Sequence, residues 1–264
     1  MLWKAQRRKK LFDRPLPPDW RYIVETHCPF YLRMPAADRR ELEGHVQIFM
    51  AEKKFEGCGG VVITDEISLS IASQACVLLL HRDTDYYSDL RTILVYPSSY
   101  FAPIARHIGS GVMEEGHQAR AGESWPAGAV VLAWAEVCKG TADPAQSNVV
   151  LHEFAHQLDF EDGYADGAPL LGNGESYRSR RDGYAAWARV MKREYEQLRA
   201  QVQNGESSVL RSYGATNPAE FFAVATESFF GKPQELLKNH PELYAQLKWY
   251  YHQDPAQWPA PTLP

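Results

Sequence analysis

The sequence has few cysteines, no long hydrophobic run and no excess of positive charge, and each absence argues against a class of protein. Its four cysteines, Cys28, Cys58, Cys76 and Cys138, are scattered and form no C-x-x-C pair. They predict reduced, mostly buried thiols, not a disulfide framework or a cysteine zinc cluster. No apolar run approaches the roughly 20 residues of a membrane span. A net charge of −5 argues against a dedicated binder of nucleic acid or anionic membranes.

The N-terminus also lacks the apolar core of a signal peptide, because charged residues stand in its place. We therefore expect a cytoplasmic protein. Residues 1–19 are basic and are interrupted by prolines. This composition favours a solvated, flexible tail over a binding site for phosphate or for an acidic partner. Residues 20–264 are expected to form one domain, with a helical N-terminal part over about 20–85 and a catalytic part over about 86–264.

Hydrophobic spacing predicts a mostly helical α+β fold with a small sheet that precedes the central motif. Helices are expected near 20–24 and over 35–54, 67–80, 184–202, 218–230 and 241–251. Strands are expected over 61–63, 93–96 and 128–134, while 111–119 is either a polar strand or a loop. His45 lies on the apolar side of its helix and is expected to be a satisfied core residue, not a ligand.

The most informative stretch, residues 148–159, contains the pattern His-Glu-x-x-His inside an apolar run. The apolar side chains that recur there at helical spacing are Leu151, Phe154, Ala155 and Leu158. They predict a helix with one buried stripe. Asp143 is the expected N-cap and Pro144 the expected first helical residue.

His152 and His156 lie one turn apart on this helix, so both imidazoles can bind one tetrahedral cation. Glu153 is rotated by about 100° around the axis, within reach of a metal-activated water for which it can serve as base. An ordinary polar helix face is the alternative interpretation. The apolar neighbours predict burial, however, and two buried histidines with a carboxylate are costly without a metal. We therefore expect one Zn²⁺ per chain.

A catalytic zinc needs a third protein ligand, which must come from a later part of the chain. Glu220 is the favoured candidate because it lies in the first turn of an apolar helix, seven residues after Tyr213. Glu220 could instead form a capping box with Asn217. Glu227, two turns further on the same face, is the rival ligand. It is expected to hydrogen-bond one of the histidines if Glu220 binds the metal.

Residues 159–182 are rich in glycine, aspartate, serine and arginine and predict a long loop. Their acidic side chains suggest calcium, but the EF-hand pattern fails, because Gly163 stands at a ligand position and Tyr164 at the glycine position. A solvated lid or rim of the site is the better interpretation.

The His-Glu-x-x-His motif, Tyr213 and the stretch from Asn217 to Ala223 together resemble the gluzincin group of zinc metallopeptidases. More narrowly, the whole chain resembles the Mlc titration factor family, whose catalytic region is similar to that of anthrax lethal factor. The resemblance implies a zincin-like fold and an aminopeptidase type of activity. It also implies a protein partner, the glucose-phosphotransferase repressor Mlc. Many gluzincins carry an acidic residue four positions after the glutamate ligand, whereas this chain has Val224, which leaves the partner of the histidines unassigned.

The resemblance also implies roles for individual residues. It implies zinc ligation by His152, His156 and Glu220, with Glu153 as general base and Tyr213 as the group that steadies the oxyanion. The strand at 129–134 is expected to pair with an extended peptide or protein substrate.

Two other functions fit the same residues. One is an interaction protein that sequesters a repressor and has a weakly active or regulatory zinc site. The other is a zinc hydrolase of non-peptide amides.

Overall fold

The computed structural model describes residues 2–98, 100–108, 112–120, 122–125, 128–171 and 180–259. The α-helices are α1 (Leu2–Phe12), α2 (Pro18–His27), α3 (Ala36–Glu52), α4 (Asp65–Val77), α5 (Trp134–Ala142), α6 (Val149–Asp159), α7 (Arg180–Asn204), α8 (Pro218–Gly231), α9 (Pro233–Asn239) and α10 (Pro241–Tyr251). The strands are β1 (Lys54–Gly57), β2 (Thr92–Tyr96), β3 (Tyr100–Ile108), β4 (Val112–Arg120), β5 (Gly122–Trp125) and β6 (Ala129–Ala133). Short 3-10 turns lie at Tyr31–Arg33, Phe160–Asp162, Ser212–Ala215 and Pro255–Gln257.

Four of the strands form one mixed sheet in the order β1-β2-β6-β5. β1, β2 and β6 run parallel, and β5 pairs antiparallel to β6 at the edge. β3 and β4 form a separate antiparallel pair. The predicted fold class, mostly helical α+β with a small sheet before the histidine helix, is confirmed. For residues 112–119, the structure agrees with the strand alternative, and residue 111 lies outside the described residues.

The first strand lies earlier than the sequence predicted. Residues 61–63 have no regular structure, whereas Lys54–Gly57 pair with β2. Gly59 and Gly60 have φ angles of +59° and +90°. These conformations favour glycine and redirect the chain after β1, before the apolar segment begins. That segment therefore leads into α4 and does not join the sheet.

Helix α4 lies in the centre of the core, because every side chain from Ile67 to Val77 is buried. Thr64 caps it, with its hydroxyl accepting the Ile67 N–H at 3.3 Å. The residues of this segment are apolar nearly all round the helix, a pattern typical of a buried helix. His45 is likewise satisfied in the core, since its Nδ1 lies 2.8 Å from the Tyr86 hydroxyl. The four cysteines are free, but only Cys28 and Cys76 are buried, so the predicted burial of most of them is half correct.

Residues 2–12 form a helix, whereas the sequence predicted a flexible tail up to residue 19. The helix packs on α3. Arg8 donates two hydrogen bonds to the Glu52 carboxylate, at 2.8 and 2.7 Å. Phe12 lies against the backbone of Gly44, where an added Cβ would stand 2.6 Å from the ring. These partners are distant in sequence, so local composition could not reveal them.

Among the described residues, no helix is both long and apolar enough to cross a membrane.

Candidate metal centre

Helix α6 carries the His-Glu-x-x-His pattern and begins later than predicted. Asp143 is the C-cap of α5, and Asn148 is the N-cap of α6. The Asn148 side chain accepts the Leu151 N–H at 2.9 Å and donates to Gln74 Oε1 at 2.6 Å. Pro144 lies in the connection between the two helices. Asn148 determines the helix start because it is fully buried with both ends of its amide bonded, while Asp143 is exposed.

The four apolar side chains of the predicted stripe, Leu151, Phe154, Ala155 and Leu158, are all buried. They hold α6 against the core and direct His152 and His156 towards α8. Asn217 caps α8 by accepting the Glu220 N–H at 2.9 Å, so Glu220 lies in the first turn of the helix. The Glu220 carboxylate reaches the histidines.

Three ligand atoms therefore meet between α6 and α8. The two Nε2 atoms of His152 and His156 are 3.2 Å apart. Glu220 Oε2 lies 3.0 Å from His152 Nε2 and 3.3 Å from His156 Nε2. In the part of the chain that the structure describes, these residues are the one group of histidine, cysteine and acidic side chains able to hold a metal.

The donor set fits a tetrahedral zinc ion. Ligands about 2.0–2.1 Å from a tetrahedral metal lie about 3.3 Å from one another, close to the 3.0–3.3 Å observed. Glu227 lies on the other side of the His152 ring, 2.7 Å from Nδ1. With the proton on Nδ1, Nε2 presents a lone pair towards the Glu220 carboxylate. Such an arrangement requires a cation, either a metal or a proton, between the acceptors.

The Glu227 carboxylate has three hydrogen-bond partners in the site. Besides His152, its carboxylate accepts the backbone N–H of Asn148 at 2.7 Å and a bond from Arg211. The carboxylate is buried, so these donors compensate a charge that would otherwise be costly. The hydrogen bond to His152 agrees with the prediction for Glu227 and identifies a partner for that histidine despite Val224. Arg211 was not predicted, since nothing in its local sequence marks it.

The carboxylates shift the proton affinity of the centre. Burial alone would lower the pKa of His152, but its hydrogen bonds to Glu220 and Glu227 outweigh burial and raise the pKa to about 10. Burial acts to raise the pKa of Glu220, yet the bonds from His152 and His156 hold it well below its usual range. The pKa of Glu227 is lowered in the same way, with His152 and Arg211 outweighing its burial. When no metal is bound, a proton on His152 therefore balances the two carboxylates.

The other two predicted site residues flank this cluster. Glu153 is buried on α6, directly after His152. Tyr213 belongs to the turn Ser212–Ala215 and is 46% exposed. Its ring centroid lies 5.8 Å from that of His152. An exposed hydroxyl-bearing ring beside the histidines is able to contact a substrate.

The sheet edge nearest to α6 differs from the predicted one. β6 is enclosed by β2 on one side and β5 on the other, so both of its backbone edges are already paired. The prediction that β6 binds an extended substrate is therefore wrong. β5 is the edge strand, and it packs against α6. The strand β5 was not predicted from the sequence.

The predicted loop after α6 is described up to residue 171, while 172–179 lie outside the described residues. Its exposed part includes Tyr164, in keeping with a rim. Asp159, however, is fully buried, and its Oδ2 accepts the Gly167 N–H at 2.9 Å. Burial raises the pKa of Asp159 to about 6. This part of the loop is anchored to the core and is not solvated.

Comparison with known proteins identifies the family of the chain. The model of the glucose-regulated metallo-peptidase M90 family matches residues 2–252 of the chain. The chain belongs to this metallopeptidase family. An uncharacterized protein of Synechocystis is 44% identical over 255 residues, which cover 96% of this chain and 90% of that protein. Mlc titration factor A of Salmonella arizonae is 26% identical, over 97% of both chains. The same factor of Salmonella gallinarum is 26% identical over 97% of this chain and 92% of its own.

Membership of the M90 family implies a metal ion. The cluster of His152, His156 and Glu220 is a possible site for that ion in this chain.

Proposed function

We propose that the protein is a zinc-dependent peptidase with a zincin-like catalytic domain. The observation that carries the proposal is the convergence of His152, His156 and Glu220, whose ligand atoms all lie within 4.8 Å of one another. Two nitrogen donors and one carboxylate leave a fourth position open for a reactant, as catalytic zinc requires. Zn²⁺ bound there would act as a Lewis acid that polarises a carbonyl and makes a water molecule more acidic.

The chain itself supplies the proton transfers. Glu153 follows His152 on α6 and is buried, and its carboxylate takes a proton from the attacking water. The same carboxylate then returns that proton to the leaving amine. Glu227 keeps the His152 ring in one tautomer and orientation through the Nδ1 bond of 2.7 Å.

Tyr213 and β5 bind the substrate in this mechanism. The Tyr213 hydroxyl donates a hydrogen bond to the carbonyl oxygen as negative charge develops on it. Among the described strands β5 is paired only with β6, and its outer edge pairs with the extended backbone of the peptide, which brings the scissile carbonyl beside α6.

Metal analysis combined with a peptide-library digest tests the proposal. Purified protein should hold about one zinc per chain and release new amino termini from the library. His156→Ala should lose most of the metal, and Glu153→Gln should keep the metal but lose hydrolysis. Glu196→Gln, the same change on the exposed face of α7, is the matched control. Full zinc occupancy in His156→Ala would contradict the assignment, and cleavage of acyl amides without cleavage of peptides would identify a different amidase.

The aminopeptidase type follows from the resemblance and needs a separate test. Peptides with a free amino terminus should be shortened one residue at a time, while the same peptides with an acetylated terminus should resist. Internal cleavage of the acetylated peptides would identify an endopeptidase instead.

We also propose that the protein binds an Mlc-type transcriptional repressor in the cytoplasm. The support is the similarity, at 26% identity over 97% of the chain, to proteins called Mlc titration factor A. Purified repressor should bind wild-type protein and Glu153→Gln with equal affinity if sequestration is independent of hydrolysis. If neither protein binds the repressor while the wild type retains peptidase activity, the proposed enzyme function would stand and the proposed repressor partner would be contradicted.

A further inference from the structure

Gly167 lies in the loop after α6 and contacts three helices at once. Its N–H donates to Asp159 Oδ2 at 2.9 Å, at the last residue of α6. Its carbonyl accepts the Trp187 indole N–H at 2.9 Å, from α7. An added Cβ would stand 2.5 Å from the carbonyl oxygen of Pro218, the first residue of α8.

Two of these contacts lie close along the chain to proposed metal ligands. Asp159 is three residues after His156, and Pro218 is two residues before Glu220. A shift of the loop by a few tenths of an ångström would therefore move the first turn of α8 relative to the last turn of α6. Ligand distances at a zinc site tolerate only about 0.2 Å of variation.

The surroundings of Gly167 are rigid. Trp187 is buried and packs against Phe222 of α8, with ring centroids 5.8 Å apart. Asp159 is also fully buried. The clash with Pro218 involves backbone atoms, which cannot be relieved by a change of side-chain rotamer. An added methyl group must therefore displace the loop or the start of α8.

We propose that Gly167 is a positioning residue for a divalent cation, because its lack of a side chain lets α8 approach α6 closely enough for Glu220 to meet the two histidines. This inference rests on the proposed metal centre. According to this inference, Gly167 determines the distances between the metal ligands without contacting any of them.

Gly163 provides a matched control within the same loop. Both glycines have positive φ, +80° at Gly167 and +92° at Gly163, so alanine introduces comparable backbone strain at either position. Only Gly167 has a neighbour within 4 Å of the added Cβ. A difference between the two variants therefore reports the contact with α8, not the strain of the loop.

The test measures zinc affinity of the full chain by competition with a chelator, well below the unfolding temperature. Gly167→Ala should raise the zinc Kd by roughly 10–100-fold, comparable to the loss of a group that orients a ligand. Gly163→Ala should leave the Kd within about threefold of wild type. The Co²⁺ complex of Gly167→Ala should also show an altered ligand-field spectrum, which loss of stability alone would not produce.

A wild-type Kd and cobalt spectrum in folded Gly167→Ala, with a lowered Tm, would overturn the inference and leave the proposed function intact. Absence of zinc binding by wild type and Gly163→Ala would overturn both. If Gly167→Ala does not fold, Trp187→Phe removes the donor to the Gly167 carbonyl and keeps an aromatic ring. A weakened zinc Kd in that variant supports the inference, and an unchanged Kd with an unchanged cobalt spectrum overturns it.

Discussion

The imidazole of His152 lies between two carboxylates of one helix. Glu220 and Glu227 are seven residues apart on α8, about 10 Å along its axis. The ring separates them, because Nε2 faces Glu220 and Nδ1 faces Glu227. Only Glu220 also reaches His156. The structure thus distinguishes the two carboxylates, which the sequence alone did not. Glu220 faces the candidate metal position, and Glu227 hydrogen-bonds the opposite edge of the His152 ring.

Glutamine substitution separates these tasks. Glu220→Gln should abolish tight zinc binding, because an amide is a weak replacement for a carboxylate ligand. Glu227→Gln should weaken zinc affinity or activity by roughly 10–100-fold, since it affects only the orientation and basicity of His152. Zinc titration with a competing chelator measures both, with exposed Glu196→Gln as the control. A larger loss of zinc affinity in Glu227→Gln than in Glu220→Gln would identify Glu227 as the ligand.

Tyr213 is expected to act on the transition state and not on the metal. Its ring is half exposed beside His152. Tyr213→Phe should keep zinc and lower kcat by roughly 10²–10³, as removal of a single oxyanion donor does. Steady-state kinetics with zinc analysis checks this, and exposed Tyr22→Phe on α2 is the control. An unchanged kcat would assign Tyr213 to packing.

At the scale of elements, the periodicity of α6 was predictable from sequence but its first residue was not. The apolar stripe depends only on local spacing. The helix start depends on Asn148, whose amide bonds Gln74 of α4 while its N–H bonds Glu227 of α8. Asp143-Pro144 is a good local start signal, yet it follows α5, and the Asp143 carboxylate accepts a local hydrogen bond, from the Ala145 N–H at 3.2 Å. Distant contacts overrode a local preference.

Alanine at these two positions tests which residue caps the helix. Asn148→Ala removes the hydrogen bond to Leu151 N and the donor to the buried Gln74 Oε1. It should therefore lower the free energy of unfolding by about 1–2 kcal/mol. Asp143→Ala, at the exposed site, should change it by less than about 0.5 kcal/mol. Urea denaturation measures both, and an equal loss in Asp143→Ala would contradict the observed helix start.

The sheet shows the same division between local and tertiary information. Residues 93–96 and 129–133 are apolar enough to be recognised as buried strands. β1 and β5 were not recognised as strands, and each is defined by the strand with which it pairs. Because β5 was not predicted, β6 seemed to have a free edge.

At the scale of the whole molecule, the N-terminal helix and the metal centre both depend on distant partners. α1 is held by Arg8 to Glu52 and Asp85, which lie 44 and 77 positions further along the chain. Its basic composition alone resembled a solvated tail. The grouping of the three candidate ligands, in contrast, was predictable, because two belong to one helical motif and the third to a helix start that sequence can recognise. What sequence could not supply was the spacing between α6 and α8.

The metal centre should make the stability of the whole protein depend on pH. The pKa of His152 is raised to about 10, above its ordinary value of about 6.5. Its charged form therefore stabilises the metal-free fold fully below about pH 6.5, and this contribution is lost as the pH rises towards 10. Zinc replaces that proton and removes the dependence, so the stabilisation by zinc should be larger at pH 9 than at pH 6.5.

Thermal or urea unfolding of the full chain in chelator and in buffered zinc, at pH 6.5 and pH 9, measures this coupling. Free zinc held at 100 times the Kd measured at pH 6.5 should add about 2.7 kcal/mol to the free energy of unfolding at that pH, and the same free zinc concentration should add more at pH 9. In chelator, the free energy of unfolding of the wild type should be lower at pH 9 than at pH 6.5. Glu220→Gln lacks the third ligand and should show no difference between zinc and chelator at either pH. A metal-free protein equally stable at both pH values would show that His152 does not hold the proton, and the two carboxylates would then need another counter-charge.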